Sequence, residues 1–461
     1  MSTGLRLHPS IIREYDIRGI IDDTLSVEDA HEIGCAFATM VAQSEGTPPR
    51  ICLGYDGRLT SPALESALSE GLISAGAHVL RVGRGPTPML YFGVHHLEAD
   101  GGVMVTGSHN PPEHNGFKFM LGRGSFYGKQ IQQLGEIVAR GISRVAGGQS
   151  EEIGIFDSYV EGLVSAYQGS GQLKVAWDPG NGAAGDVVQA LSRLLPGRHD
   201  IINGEIDGTF PAHHPDPTVA SNLVQLQQCV AQGSHDVGIA LDGDGDRIGV
   251  IDDTGRVIWA DLLMALLARD VLAAQPGAPI IADVKSSQVL FDEIAKLGGS
   301  PVMWRTGHSL IKAKMAECKA PLAGEMSGHL FFADRYYGFD DAMYAAVRLL
   351  NVIEGAGERL SALRDQLPTL ANTPEIRFEC ADDKKFDVVT EIRERLISEG
   401  QEVNDIDGVR VNSEDGWWLL RASNTQAVLV ARCEAKDDVS LSRVKSDLEA
   451  ELAKSGIRFP D

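Results

Sequence analysis

The chain has 461 residues, of which 43% are hydrophobic and 23% charged, and its formal net charge is −23. A single hydrophobic core stops growing near ~250–300 residues, so this length predicts several domains, and the composition excludes a fibrous or disordered protein. The excess of acidic residues argues against nucleic acid or an anionic membrane as a partner, because both bind basic surfaces.

The N-terminal segment and the cysteines both indicate a cytoplasmic protein. Residues Met1 to His8 contain no apolar signal segment, and no apolar run approaches the roughly 18 residues that span a bilayer. The cysteines are scattered along the chain, without the Cys-x-x-Cys spacing of a zinc site. We expect them to be reduced, as in the cytoplasm.

One pattern of strand, polar turn, amphipathic helix and second strand occurs three times, in copies that begin at Arg50, Leu173 and Ala278. Each copy is followed by a further apolar strand that runs into a polar, glycine-rich loop. In open α/β sheets, ligands bind beyond the carboxyl ends of the strands. The three loops are therefore predicted to face one shared cleft.

The pattern changes after about Leu367. A strand at 374–380, a helix at 387–399, a hairpin of 408–411 and 417–423, a strand at 427–435 and a closing helix from Leu441 to Lys454 predict a smaller α+β domain. The fold class is thus α/β, with three similar α/β domains with mixed sheets around a central cleft and a smaller C-terminal α+β domain. The predicted domains are residues 1–151, 152–254, 255–367 and 368–461.

The first loop, here called the serine loop, spans residues 106–118 and reads TGSHNPPEHNGFK. Ser108 stands on a tight turn after Gly107, with His109 next to it and Lys118 beyond an Asn-Gly turn. A serine hydroxyl is a poor nucleophile alone, but these neighbours suit a phosphate, and the turn is expected to expose Ser108. An ordinary polar turn built from the same residue types is the alternative.

The second loop, the aspartate loop, spans residues 242–247 and reads DGDGDR. Asp242, Asp244 and Asp246 alternate with glycines, which let the chain curl so that the carboxylate oxygens converge. Three carboxylates this close repel one another unless a cation holds them, and hard divalent metals prefer oxygen ligands. An EF-hand needs glycine where Arg247 stands and helices on both sides, whereas strands flank this loop. A solvated acidic turn is the other alternative.

The third loop, the glutamate loop, spans residues 324–329 and reads GEMSGH. Glu325, Ser327 and His329 offer a carboxylate, a hydroxyl and an imidazole on one short turn. A carboxylate that accepts hydrogen bonds from two adjacent sugar hydroxyls, with a serine beside it, is ordinary carbohydrate recognition chemistry. A structural role is the alternative, with His329 bonded to the backbone in the core.

A fourth segment, Arg421 to Gln426, reads RASNTQ and follows a strand of the last domain. It combines a guanidinium fork with hydroxyl and amide donors, a set suited to a phosphate. We call its residues Arg421, Ser423, Asn424 and Thr425 the phosphate clamp. A polar hairpin turn is the alternative.

Taken together, these four segments resemble the α-D-phosphohexomutase superfamily, specifically bacterial phosphomannomutase/phosphoglucomutase. The resemblance covers the whole chain and includes EYDIRG at residues 14–19. Phosphoglucosamine mutases tend to have ASHNP in the first motif and a glutamine in the third, where Met326 stands here. The chain is therefore less similar to that group.

The resemblance implies roles for individual residues. Ser108 corresponds to a phosphoserine, and Asp242, Asp244 and Asp246 correspond to ligands of Mg²⁺, with an oxygen of the serine phosphate as the fourth. Glu325 and Ser327 correspond to ligands of sugar hydroxyls, and the phosphate clamp to the site of the non-reacting phosphate. The other catalytic positions are Arg18, His109, Lys118, Arg247 and His329, with Lys118 and His329 as candidates for general acid and base. The other substrate-binding positions are Tyr15, Lys285 and His308.

The implied activity is that of an intramolecular phosphotransferase. Such an enzyme interconverts hexose 1-phosphate and hexose 6-phosphate, of glucose, mannose or both, through phosphoserine and a hexose 1,6-bisphosphate. Mg²⁺ is the implied cofactor, and glucose 1,6-bisphosphate is the implied activator. The implied partners are hexose phosphates. The protein is expected to be a monomer whose last domain acts as a lid. There are two alternatives. The first is an enzyme of the same superfamily that acts on an amino sugar phosphate, and the second is a non-catalytic protein that binds a phosphosugar or Ca²⁺.

Overall fold

The computed structural model describes residues 7–45, 48–169, 171–381, 383–424 and 426–459. Within these ranges the strands form four separate sheets that follow one another along the chain. The sheets of the first three domains contain both parallel and antiparallel pairs, and the fourth is antiparallel. This arrangement confirms the predicted fold class. The domain boundaries given above stay predictions.

The first domain contains the serine loop. Its strands are β1 (Ile17–Ile20), β2 (Arg50–Tyr55), β3 (His78–Arg84), β4 (Gly101–Val105), β5 (His114–Leu121), β6 (Gly124–Ser125) and β7 (Gln149–Glu152). Its helices are α1 (Val27–Glu45), α2 (Ser61–Ser74), α3 (Thr87–His96) and α4 (Lys129–Arg140). The sheet order is β1-β5-β4-β2-β3-β7, with β6 paired to β5.

The second domain contains the aspartate loop. Its strands are β8 (Lys174–Asp178), β9 (Arg198–Ile201), β10 (Val237–Leu241), β11 (Ile248–Asp252) and β12 (Val257–Ile258). Its helices are α5 (Phe156–Ser165), α6 (Gly185–Leu194) and α7 (Val224–Gly233). The sheet order is β12-β11-β10-β8-β9.

The third domain contains the glutamate loop. Its strands are β13 (Pro279–Asp283), β14 (Ser300–Trp304), β15 (Leu322–Gly324) and β16 (Leu330–Phe332). Its helices are α8 (Ala260–Ala274), α9 (Gln288–Lys296), α10 (His308–Cys318), α11 (Ala342–Ala356) and α12 (Leu360–Asp365). The sheet order is β14-β13-β15-β16.

The fourth domain contains the phosphate clamp. Its strands are β17 (Ala371–Asn372), β18 (Ile376–Glu379), β19 (Val403–Asn404), β20 (Val409–Asn412), β21 (Gly416–Ala422) and β22 (Val428–Ala435), and its helices are α13 (Lys385–Ser398) and α14 (Asp438–Lys454). The sheet order is β17-β22-β21-β20-β19, and β18 also pairs with β22. Helix α14 begins before the predicted Leu441, because the Asp437 side chain caps it by accepting a hydrogen bond from the backbone N–H of Ser440.

The three predicted loops occupy the same place in their sheets. In each domain a strand lies parallel to one neighbour (β4 to β2, β10 to β8, β15 to β13), and the next strand returns antiparallel to it (β5, β11, β16). The serine, aspartate and glutamate loops make these three reversals. All three loops therefore leave from the carboxyl end of a buried strand, which is where ligands bind in such sheets.

One large hydrophobic cluster joins the first three domains. It includes Phe92 of α3, Tyr159 of α5, Trp177 of β8, Leu266 of α8 and Tyr344 of α11, all buried. Interiors of this kind are close-packed and resist relative movement of their parts. The first three domains therefore hold their reversal loops in fixed relative positions.

The fourth domain has its own core and a smaller contact with the third. Its cluster includes Ile392, Trp418 and Leu448. Trp417 and Leu419 pack against Val284 of the third domain. No helix within the described ranges is both long and apolar enough to cross a membrane. The cytoplasmic location and the monomeric state stay predictions.

The pairing of β1 with β5 gives a test of the fold next to the serine loop. Gly116 lies opposite Arg18, and a Cβ atom at Gly116 would stand 2.0 Å from the Ile17 carbonyl oxygen. Gly116→Ala is expected to lower the free energy of unfolding by ~1–3 kcal/mol, because the strands must separate to accept the methyl group. Urea denaturation measures this change.

Gly355→Ala is the matched control. Gly355 lies in α11, and no heavy atom of the described residues outside its own helix and chain neighbours stands within 4 Å of the added Cβ. Alanine there is expected to stabilise the protein by ~0.5–1 kcal/mol. A Gly116→Ala protein as stable as the wild type would contradict the β1–β5 pairing.

Candidate active site

The three reversal loops converge on one cluster of polar side chains. The Ser108 hydroxyl donates a hydrogen bond to Asp242 Oδ2 at 3.0 Å. Lys118 of β5 donates to Asp244 Oδ2 at 2.7 Å and also contacts Asp246. His329 Nε2 lies 3.3 Å from Asp246 Oδ1. Residues from the first three domains thus share a single site.

Ser108 is buried, with 2% of its surface exposed, so the expectation of an exposed serine is wrong. The aspartate loop covers it: a Cβ atom at Gly243 would stand 2.3 Å from the Ser108 carbonyl oxygen. The Ser108 backbone has φ = 50°, a left-handed conformation that costs a non-glycine residue roughly 1–2 kcal/mol. Such strain persists only where the surroundings hold it, and it is common at functional sites.

The aspartate triad, Asp242, Asp244 and Asp246, has no exposed surface. One carboxylate oxygen from each of the three aspartates lies within 4.8 Å of the other two. The backbone N–H groups of Asp246 and Arg247 donate to Asp242 Oδ1 at 3.0 and 3.1 Å. Among the described residues, Asp244 Oδ1 has no hydrogen-bond partner, and Asp246 Oδ1 has none besides its ion pair with His329. The donor set and these two oxygens fit a hard divalent cation.

Charge repulsion and burial act together on the triad. Burial and the carboxylates of Asp244 and Asp246 raise the pKa of Asp242 well above its usual range. Burial also opposes ionisation of Asp246, but the Lys118 and His329 cations outweigh it and hold the pKa of that carboxyl well below its usual range. The three buried carboxylates therefore need more positive charge than a single lysine supplies.

Lys118 supplies part of the counter-charge in this structure. Burial alone would lower its pKa, but Asp244 and Asp246 outweigh that effect and raise the pKa of Lys118 well above its usual value. Its ammonium group therefore stands where the triad needs a cation. The sequence predicted Lys118 in the site, and its direct contact with two of the aspartates is new.

His329 connects the aspartate and glutamate loops. Its Nδ1 lies 3.0 Å from both Glu325 Oε2 and Ser327 Oγ, and the other Glu325 oxygen accepts a hydrogen bond from the Gly307 N–H at 2.6 Å. Arg247 Nε lies 3.3 Å from His329 Nε2. The structure thus brings Glu325, Ser327, Arg247 and His329 together, as the sequence predicted.

His109 and Arg18 lie beside Ser108. His109 Nδ1 is 3.1 Å from the Ser108 Oγ, and burial together with the Arg247 and Arg18 cations lowers the pKa of His109 well below its usual value. Arg18 donates to Asn110 Oδ1 of the serine loop at 3.0 Å and pairs with Asp16 at 2.6 Å. His109 is therefore a neutral imidazole beside the serine.

His308 lies next to His329. The two rings have centroids 5.5 Å apart, and the Tyr15 ring lies 5.9 Å from His308. His308 Nδ1 is 3.6 Å from Asp340 Oδ2, a buried carboxylate that also accepts from Lys312. Asp340 was missed from the sequence, because no motif surrounds it.

The phosphate clamp contacts the first domain directly and is linked to the third domain through Tyr15 and Asp407. Asn424 Nδ2 donates to the Tyr15 hydroxyl at 2.9 Å, and that hydroxyl donates to the Thr306 carbonyl at 2.9 Å. Arg421 Nε donates to Asp407 Oδ2 at 3.0 Å. The same oxygen accepts a hydrogen bond from the Thr306 N–H at 3.0 Å.

The remaining predicted substrate-binding residues are Ser423, Thr425 and Lys285. Thr425 lies outside the described residues, and Ser423 is buried on the same turn and accepts a hydrogen bond from the Gln426 N–H at 3.2 Å. Lys285 pairs with Glu375 of the fourth domain at 2.9 Å, and its charge helps to hold the pKa of the buried Glu325 below its usual value. The predicted substrate-binding residues therefore span the first, third and fourth domains.

Family models match the chain in four consecutive segments. The model described as phosphoglucomutase/phosphomannomutase, alpha/beta/alpha domain I, matches residues 9–144. The models for domains II and III match residues 157–255 and 259–370, and the model for the C-terminal domain matches residues 375–451.

Individual proteins are similar over nearly the full length. A phosphomannomutase/phosphoglucomutase from Pseudomonas putida is 42% identical over 449 residues, which cover 97% of this chain and 96% of that protein. A phosphoglucomutase from Neisseria meningitidis is 40% identical over 444 residues, covering 95% and 96%. The crystal structure of a phosphoglucomutase/phosphomannomutase family protein from Burkholderia thailandensis has a TM-score of 0.92 and 41% identity, covering 98% of this chain and 99% of that one.

The environment of His329 predicts a pH dependence of stability in the metal-free protein. Burial opposes the charged imidazole, but Asp246 and Glu325 outweigh burial and the Arg247 cation and raise the pKa of His329 to about 9 from a usual 6.5. A group whose folded pKa is raised stabilises the fold fully below its unfolded pKa and loses that contribution as the pH rises through the folded value. The free energy of unfolding is therefore expected to fall as the pH rises towards about 9.

His329→Gln is the matched variant, since glutamine keeps a polar side chain but does not titrate. Urea denaturation of both metal-free proteins between neutral pH and pH ~10 isolates the histidine contribution. If the wild type and the variant show the same pH dependence, the charged state assigned to His329 is wrong.

Proposed function

We propose that this chain, which belongs to the phosphoglucomutase/phosphomannomutase family, moves a phosphoryl group between O1 and O6 of a hexose by way of Ser108. Family membership confirms the resemblance found in the sequence. The protein is a hexose phosphate mutase, an intramolecular phosphotransferase that acts on sugar phosphates. One observation supports Ser108 as the phosphate carrier above all others: its hydroxyl lies 3.0 Å from Asp242 of an acidic triad suited to a metal.

We assign the cofactor site to Asp242, Asp244, Asp246 and an oxygen of the phosphate on Ser108, and we propose Mg²⁺ as the ion. A divalent ion held there would neutralise the triad and part of the charge on the transferring phosphoryl group. The convergence of the carboxylates and the buried Asp244 Oδ1, which has no hydrogen-bond partner among the described residues, support this assignment.

The chain's own residues perform the rest of the reaction by positioning and charge. A phosphoryl group in transfer carries charge on its equatorial oxygens, so the protein must place cations around it. Lys118 and Arg247 are the cations proposed for this role. Lys118 and His329 are the candidates for general acid and base; both are protonated in the metal-free protein, so each is placed to act first as the acid. His109 is neutral and lies 3.1 Å from the Ser108 Oγ, where it can hydrogen-bond to that oxygen.

The substrate must bind in two orientations, because first one end and then the other end of the hexose reacts. We propose that the phosphate clamp holds the non-reacting phosphate in both orientations, while Glu325 and Ser327 hold O3 and O4, which nearly exchange places when the sugar turns. Such contacts do not involve C2, so both glucose and mannose phosphates are expected to react. Glucose 1,6-bisphosphate would act as an activator by placing a phosphate on Ser108.

The first test concerns the phosphate on Ser108. After incubation with glucose 1,6-bisphosphate, intact mass spectrometry is expected to show the gain of one phosphoryl group, and peptide mapping is expected to place it on Ser108. Ser108→Ala should lose this gain and lower kcat by several orders of magnitude, because the carrier is absent. Ser69→Ala, a buried serine of α2, is the control and should behave as the wild type.

A stable phosphate on another residue, together with a fully active Ser108→Ala protein, would overturn the mechanism. Turnover measured with glucosamine, glucose and mannose phosphates as substrates distinguishes a hexose phosphate mutase from an amino sugar mutase.

The second test concerns the Arg421–Asp407 pair. Asp407 Oδ2 binds Arg421 Nε at 3.0 Å and Oδ1 binds Nη2 at 3.4 Å, so the carboxylate fixes the orientation of the guanidinium. Asp407→Asn is expected to raise KM for glucose 1-phosphate roughly tenfold, because a charge-assisted hydrogen bond contributes ~1.5–3 kcal/mol. Phosphate on Ser108 should persist, since neither residue touches the serine loop.

Asp405→Asn is the control, because Asp405 is an exposed acidic residue only two positions away. It should leave KM unchanged. Steady-state kinetics measures KM for both variants. An unchanged KM in Asp407→Asn would show that the Arg421–Asp407 pair does not orient the clamp.

A further inference from the structure

Arg58 lies beneath the serine loop and belongs to none of the predicted catalytic or binding sets. It stands on the loop between β2 and α2 with 1% of its surface exposed. Its guanidinium donates to backbone carbonyl oxygens of the serine loop. The acceptors are Ser108 at 2.7 Å, Asn110 at 2.5 Å, Pro111 at 2.6 Å and His114 at 2.9 Å. One side chain thus binds the loop on both sides of its turn.

Asp56 completes this support. Its Oδ2 lies 3.3 Å from Arg58 Nε and accepts a hydrogen bond from the Gly107 N–H at 3.2 Å. Its Oδ1 accepts from the Arg58 N–H at 3.0 Å and from the Ser61 hydroxyl at 2.5 Å. The Asp56–Arg58 pair therefore satisfies a donor and several acceptors of the serine loop.

The pair leaves no room for a side chain before Ser108. A Cβ atom at Gly107 would stand 2.5 Å from the Arg58 guanidinium. The second domain covers the other side, where the Phe210 ring centroid lies 5.1 Å from Arg58 Cζ. The guanidinium is thus enclosed by the serine loop, Asp56 and the second domain.

We propose that Arg58 is a positioning residue, which holds the strained backbone of the serine loop so that the Ser108 hydroxyl points at the aspartate triad. The inference rests on the proposed function, because it takes Ser108 as the phosphate carrier. A left-handed backbone is unfavourable for serine, and hydrogen bonds from a charged donor are strong enough to offset that cost. A guanidinium has five N–H donors in a rigid fork, whereas a lysine ammonium has three and cannot reproduce this pattern.

Among the described residues, the Arg58 side chain bonds to the serine loop and to neither the phosphate clamp nor Glu325, so its substitution should lower kcat and leave KM unchanged. Loss of the Arg58 hydrogen bonds misplaces Ser108 and slows phosphoryl transfer. The affinity for hexose phosphate should not change. Displacement of a reacting group by about 1 Å lowers a rate roughly 100-fold. A general loss of packing would not separate kcat from KM in this way.

The experiment compares Arg58→Lys and Arg58→Met with Arg348→Lys and Arg348→Met. Arg348 is the matched control, because it is equally buried at 1% exposure and pairs with Asp334 and Asp270 in the third domain. The measurements are kcat and KM for glucose 1-phosphate, the rate of Ser108 phosphorylation by glucose 1,6-bisphosphate, and the melting temperature of each protein.

Arg58→Met is expected to lower kcat and the phosphorylation rate roughly 100-fold with KM unchanged, and Arg58→Lys roughly tenfold. The Arg348 variants should lower the melting temperature and leave kcat unchanged below it. If Arg58→Met does not fold, Arg58→Lys carries the test. A wild-type kcat in Arg58→Lys, or equal kcat losses in the Arg58 and Arg348 variants, would overturn the proposal. A wild type that never gains phosphate on Ser108 would instead overturn the proposed function.

Discussion

Mutual repulsion among three buried carboxylates is the constraint on which the site depends. Two unit charges 4 Å apart repel by about 4 kcal/mol even at an effective dielectric constant of 20, and burial adds a desolvation cost to each charge. One carboxylate oxygen from each of Asp242, Asp244 and Asp246 lies within 4.8 Å of the other two, and the three residues have no exposed surface. Lys118, His329 and a serine hydroxyl gather around them because the triad requires positive charge and hydrogen-bond donors.

The topology makes this concentration of charge possible. Each of the first three sheets turns from a parallel to an antiparallel strand at the loop that carries the polar residues, and a common hydrophobic core holds the three sheets together. A net charge of −23 would otherwise keep an anionic substrate at a distance. The cationic side chains inside the cleft are Arg18, Lys118, Arg247 and His329. At this short range, direct contacts with an anionic substrate outweigh the long-range repulsion by the negatively charged surface, which salt screens.

The fold could be predicted from the sequence, because the repeated strand and helix pattern is local and each loop has recognisable turn residues. The shared cleft followed from the same pattern, but the individual contacts between the domains did not. Ser108 was expected to be exposed, and its burial comes from the aspartate loop of another domain. Arg58 and Asp407 were missed, since each acts on a segment distant in sequence and no motif surrounds either. The apolar pattern places the start of helix α14 at Leu441, whereas the Asp437 cap lets it begin at Asp438.

The position of a divalent ion tests the charge requirement of the triad most directly. Crystals grown with Mn²⁺ in place of Mg²⁺ allow the ion to be located by its anomalous scattering. One peak bonded to Asp242, Asp244 and Asp246, with Lys118 Nζ withdrawn from Asp244 and Asp246, is the expected result. A saturating concentration of Mn²⁺ that leaves Lys118 paired with both aspartates, and gives no peak at the triad, would contradict it.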